Sequence, residues 1–187
     1  MRTVICISVM AVVAAAMPAR AGGDKNKIDS AGIAAAMGQG RTAMQHRDYY
    51  KAMAAFEKAD KISRHTCAAC LLELFQAQRR GGYMVDALDT AKKAIKEAGD
   101  DKTLAAQAHL LRGVLLSEMA TKPSDKKNAE AVDEMRQAIA LNPSDAIEHY
   151  DLGYQLMKTG SDADGIAALY FLWTRREAYR AACAAKA

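Results

Sequence analysis

Cys67 and Cys70, three residues apart in TCAAC at 66–70, are the residues of this chain best suited to chemistry. Thr66 is expected to cap a helix, which places both cysteines in its first turn. The free amides of a helix start favour a thiolate and lower a cysteine's pKa. Three chemistries fit the pattern: a disulfide or oxidisable pair that pins the helix start, a redox-active dithiol, or half of a metal site completed by His65. The redox reading wants a strand before the helix and a glycine–proline spacer. Here a helix is expected before it, and the spacer is Ala-Ala. The metal reading wants a second cysteine pair at zinc-finger spacing, and the chain lacks one. A haem attachment site would need histidine where Leu71 stands.

Other chemical patterns are weaker. GQGRTA at 38–43 nearly matches a dinucleotide-binding glycine fingerprint, but that motif works only between a strand and a helix. Here it falls inside an alanine-rich helical stretch. Of the four histidines, His109 and His149 occupy one repeated position, where packing explains them better than catalysis. Glu148 and His149 are adjacent, so on a helix they point to different sides. The chain holds no H-E-x-x-H, P-loop or G-x-S-x-G sequence. Methionines at helical spacing read as core filler. No catalytic residue, cofactor or metal is expected.

These groups need a scaffold to position them, and composition says what kind. Glycine and proline number 12 and 3 in 187 residues. Good helix formers dominate, and no window alternates as a strand does. The expectation is an all-α fold with breaks near Asp48, His65, Gly82, Gly99 to Asp101, Lys122 to Asp125, Pro143 and Gly160. Residues 1–21 read as a secretory signal peptide. Arg2 leads, TVICISVMAVVAAAM follows, and Ala19-Arg20-Ala21 offers a cleavage site. The alternative is an uncleaved N-terminal anchor, although the apolar run is marginal for spanning a bilayer. Export, to the periplasm or further, puts the later cysteines where disulfides persist. It leaves Cys183 as an odd thiol. The formal charge is +4, and removing Arg2 and Arg20 brings it nearer balance, so no nucleic-acid partner is expected.

The helical stretches repeat. Ala52, Phe56 and Ala59 are spaced four and three, as are Ala87, Ala91 and Ala94, then Ala131, Met135 and Ala138. Gly165 and Leu169 begin a fourth set. A glycine recurs near the middle of each earlier helix at Gly40, Gly113 and Gly153, with Phe75 in its place in the second unit. Such small residues let helices approach closely. The set that starts at 131 comes about ten residues late, an excess assigned to loops at AGDD (98–101) and TKPSDK (122–127). Asn142-Pro143 closes the third unit, and Ser144 or Asp145 caps the next helix. Leu169, Tyr170, Phe171 and Trp173 are expected to pack on the third unit.

These spacings resemble the tetratricopeptide repeat (TPR), whose period is about 34 residues. The best matches are Gly40 with YYKAMAAFEKA (49–59), and MRQAIALNP (135–143) with HYDLG (149–153). The resemblance implies a right-handed superhelix of about four stacked antiparallel helix pairs over 33–178. A segment 22–32 would precede it and a tail 179–187 follow it. It also implies a concave face lined by the first helix of each pair. Unit one would offer Met37, Arg41, Met44 and Gln45; unit two Leu72, Gln76, Arg79 and Arg80. Unit three would offer Gln107, Leu110, Val114 and Glu118; unit four Ile147, Tyr150, Tyr154 and Lys158. Basic groups and tyrosines among apolar anchors would suit a peptide or protein segment of acidic character. The expected function is a non-enzymatic interaction scaffold of the cell envelope. It would have a protein or peptide partner and no small-molecule substrate, and touch membrane only through the signal peptide. The alternative is an accessory TPR component of a thioredoxin-like thiol–disulfide system, with Cys67 and Cys70 redox-active. A third possibility is self-association through Cys183.

Overall fold

The computed structural model describes residues 28–184, with side chains described as far as Thr174. The signal-peptide reading at 1–21 and the side chain of Cys183 lie outside the described residues. Within them the chain folds as eight α-helices and no strand: α1 (Ser30–Gln45), α2 (Tyr49–Ile62), α3 (Ala68–Arg80), α4 (Met84–Ala98), α5 (Lys102–Met119), α6 (Lys126–Leu141), α7 (Ala146–Lys158) and α8 (Asp162–Ala184). The helices end at each of the expected breaks.

Local chemistry sets most boundaries. Asp29, Asp48, Asp101, Asp125 and Asp145 each accept a hydrogen bond from the first-turn amides of the helix that follows. An aspartate there satisfies a donor the helix itself leaves open. Three hairpin turns share one closure. Arg47, Gly82 and Gly160 each adopt a left-handed backbone, with φ of 58, 86 and 83°. In each, the next amide reaches back to a carbonyl five residues earlier: Asp48 to Ala43, Tyr83 to Gln78, Ser161 to Leu156, at 2.8–2.9 Å. This is the Schellman closure of a helix C-terminus.

Helices pack in chain order as α1–α2, α3–α4, α5–α6 and α7–α8 pairs, and each pair also packs on the next. Pairs interlock through notches. Ala52, Phe56, Ala59, Ala87, Ala91, Ala94, Ala131 and Ala138 are fully buried, and Met135 nearly so. Gly40 receives Phe56, Gly113 receives Met135, and Gly153 receives Leu169. In the second unit the exchange reverses: Phe75 fills the place of the glycine and packs on Ala87 and Ala91.

Two expectations change here. The extra residues of the third unit do not enlarge the link at 99–101. Gly99 turns left-handed (φ 53°) and Asp101 caps α5 at once. The excess instead lengthens α5, at 18 residues, and its turn at 120–125. The aromatic cluster of α8 does not pack on the third unit either. Leu169 meets Gly153 and Phe171 stacks on His149, both in α7, with the ring centroids 3.8 Å apart. Tyr170 and Trp173 stack on each other and stay exposed. They lie on the outer side of α8, which no further described helix covers.

Candidate functional site

The first helices of successive units meet along one side, α3 with α5 and α5 with α7. Between α1, α3 and α5 this side holds a cleft of about 230 Å3, lined by Arg41, Ala69, Leu72, Glu73, Gln76, Leu104, Gln107 and Leu111. Four residues expected in the trough, Arg41, Leu72, Gln76 and Gln107, therefore come together. Further along, α7 exposes Ile147, Tyr150 and Tyr154, more than half accessible each. Their spacing of three and four puts them on one helix face.

The polar groups of this side are more balanced than the sequence suggests. Arg41 Nε donates to Glu73 Oε1 at 2.8 Å. Arg79 grips the Glu118 carboxylate with two N–H groups, one of them at 2.9 Å, and those bonds raise the guanidinium pKa. Lys158 Nζ donates to the Ser117 carbonyl at 2.9 Å and to its hydroxyl at 3.2 Å. Arg80 is exposed. Glu73, Leu104 and Leu111 escaped the sequence reading. Glu73 lies three residues before Gln76, a spacing that places both on one face and could have revealed it.

Thr66 is not the cap of α3. Its hydroxyl donates to the Ser63 carbonyl at 2.7 Å, and Cys67 takes the cap position one residue later. Cys67 Sγ accepts from the Cys70 amide at 3.1 Å, and the two sulfurs are bonded, 2.05 Å apart. Cys70 is fully buried and Cys67 partly so. His65 turns to Asp60, Nδ1 to Oδ2 at 2.6 Å, rather than to the cysteines. No group of three or more metal-ligating side chains occurs among the described residues. GQGRTA lies within α1, where Gly40 serves close packing.

Two buried polar clusters hold the later units. In the third, Glu134 of α6 binds both His109 (2.7 Å) and Arg112 of α5. Burial, then the Arg112 charge, pushes the His109 pKa down. Across the third and fourth, Gln155 accepts from Ser117 and donates to Asn128 at 2.8 Å. Asn128 in turn donates to the carbonyls of Lys122 and Pro123 at 2.9 and 3.0 Å. The inserted turn is thereby tied to the core. A wider hollow of about 720 Å3 lies away from the cleft, on α1 and α2, where Gln39, Ala43, Ala54 and Lys58 are among the residues that line it.

No protein-family model matches the chain, and no curated protein sequence matches it. Solved structures do match. A crystal structure of MamA protein is 25% identical over 73% of this chain and 69% of its own, with a TM-score of 0.59. Another crystal structure of MamA is 16% identical over 79% and 80%, with a TM-score of 0.66. The TPR domain of Arabidopsis OM64 is 20% identical over 66% of this chain and 93% of its own, with a TM-score of 0.54. The last two, below 25% identity, are likenesses of fold alone.

Proposed function

We propose that this chain, a TPR-like helical-repeat protein, is a non-enzymatic scaffold that holds a segment of a partner protein along its concave side. One observation carries the reading. Gln76, Gln107, Tyr150 and Tyr154 sit on the first helices of their pairs with their side chains turned away from the buried core. Ile147, Tyr150 and Tyr154 give α7 a continuous exposed apolar and aromatic face, and tyrosine is enriched where binding energy concentrates. The Arg41–Glu73 and Arg79–Glu118 pairs would orient a partner by charge without a strongly basic field. The protein acts after export, in the periplasm or beyond, on the strength of residues 1–21.

The test is capture of a partner from an extract of the producing cell's envelope, with and without Tyr150→Ala and Tyr154→Ala. The reading expects normal helicity and at least tenfold weaker capture in the double variant. Undiminished capture overturns it. A mature N-terminus at Gly22, read by mass spectrometry, would support export, and an intact Met1 would refute cleavage.

The second reading, a redox-active Cys67–Cys70 pair in a thiol–disulfide system, draws on the bond between the two sulfurs. Exchange needs a thiolate to reach a sulfur. Cys70 is buried and Cys67 half-covered, which favours a structural staple.

A further inference from the structure

A cavity of about 450 Å3 opens between α2, α3 and α4 and shares no residue with the concave cleft. Its volume falls in the range that takes small ligands, about 300–1,000 Å3. Asp60 and Gln78 line it, and both are more than nine-tenths buried. Each carries an oxygen that meets no donor of the protein, Asp60 Oδ1 and Gln78 Oε1. Buried acceptors are almost always satisfied. Two orphans in one cavity wall call for the same thing, a donor from outside.

The surroundings are built to hold this arrangement. Asp60 Oδ2 is taken by His65 Nδ1 at 2.6 Å, which leaves Oδ1 as the buried, unpaired oxygen of that carboxylate. His65 reaches it from a turn in which Arg64 and His65 are both left-handed, φ 60 and 62°. Two consecutive non-glycine residues in that region are uncommon and persist only where neighbouring contacts enforce them. Here the Cys67–Cys70 bond follows the turn and the His65–Asp60 bond clasps it. Four charged side chains add to the lining, Glu57, Lys61, Lys93 and Glu97, and none forms an ion pair among the described residues.

We propose that this cavity binds a small organic cation whose head carries several N–H donors, an amine or guanidinium compound, with Asp60 Oδ1 and Gln78 Oε1 as its acceptors. A carboxylate gives the head both charge and hydrogen bonds, the stronger class of such contacts. The amide adds a neutral acceptor. Glu57 and Glu97 favour the same charge, while Lys61 and Lys93 accommodate a ligand that also bears a carboxylate. Both oxygens are sealed from solvent before binding, so the ligand's entry requires side chains of the cavity wall to change rotamer, a change common on binding.

The test is calorimetric titration of the full chain with guanidinium chloride, putrescine and L-arginine, and with acetate as the anionic control. The proposal expects saturable binding of at least one cation and none of acetate. Asp60→Asn and Gln78→Met should each weaken that binding about tenfold or more, while exposed Lys92→Ala leaves it unchanged. If Asp60→Asn disturbs the turn it clasps, Gln78→Met decides. An added arm compares free arginine with arginine blocked at both ends. Preference for the free compound makes the ligand a solute, and preference for the blocked one makes it a partner's side chain. No saturable cation binding, equal binding of acetate, or unchanged affinity in Gln78→Met overturns the site.

Discussion

Gly40 and Phe56 occupy one another's space: a Cβ on Gly40 would lie 2.7 Å from Phe56 Cζ. Real atoms do not approach so closely, and the Phe56 ring is fully buried with nowhere to retreat. The second unit makes the same joint the other way round, with Phe75 on the first helix and Ala91 on the second. What recurs is a summed volume across the joint rather than a residue. Gly40→Ala therefore sets a helix gain of up to about 1 kcal/mol against overpacking that costs about 1–3 kcal/mol. Overpacking wins. Gly38 is the control, since it lies in the same helix and its added Cβ would meet nothing within 4 Å. Thermal unfolding should show Gly40→Ala melting several degrees lower and Gly38→Ala slightly higher than the parent. The same sign for both would remove the notch as the basis of pairing.

Arg47 holds a place that Gly82 and Gly160 hold in sister turns, all three left-handed and closed by matching hydrogen bonds. A left-handed residue with a Cβ costs roughly 1–2 kcal/mol, partly offset by the extra chain entropy glycine loses on folding. Arg47→Gly should thus stabilise by about 0.5–1 kcal/mol, and Gly82→Ala should destabilise by a similar amount. Urea unfolding with unchanged slope would measure both. A destabilised Arg47→Gly would mean its side chain holds the turn.

Helix type, boundaries and the interlocking positions were legible because one spacing recurs through the chain. Small residues at 52, 59, 87, 94, 131 and 138 carry their own register. The ligand-facing chemistry was less so. The Arg41–Glu73 and Arg79–Glu118 pairs join residues 32 and 39 apart, and no local pattern announces partners at that range. Asp60 and Gln78 look like ordinary helix-surface residues in sequence, and only packing buries them. The shift of the α3 cap from Thr66 to Cys67 turned on a single hydroxyl, which bonds backward to Ser63 instead of forward.

Gln155 is 1% exposed and joins Ser117 of α5 to Asn128 of α6. Gln155→Ala would leave Asn128 Oδ1 without that donor and open a cavity. The cost of each unmet buried group is about 1–3 kcal/mol. Asn128→Ala also frees the carbonyls of Lys122 and Pro123. The double variant should lose less than the two single losses added together, because both break one shared bond. Strict additivity in a double-mutant cycle would show the network contributes no coupling.

Glu148 is 2% exposed, and its Oε2 finds no hydrogen bond. Burial first, then the Asp145 charge, pushes its pKa up to about 7 from 4.5. The folded state therefore holds this proton more tightly than the unfolded chain does. Between pH 4.5 and 7 the folded protein binds more protons, so stability falls as pH rises through that window. The stabilisation is complete below about pH 4.5 and gone above about 7, a swing of roughly 1–3 kcal/mol. His109 works in the opposite sense, since its lowered pKa costs stability as pH falls below 6.5. Glu148→Gln isolates the carboxyl: it keeps the shape, never ionises, and leaves His109 untouched. The unfolding free energy at pH 8 minus that at pH 5 should be larger in this variant than in the parent by roughly 1–3 kcal/mol, with the gain at pH 8 and His109 setting what difference remains. A parent protein whose stability difference between those pH values matches that of Glu148→Gln would show that Glu148 ionises as freely inside as out.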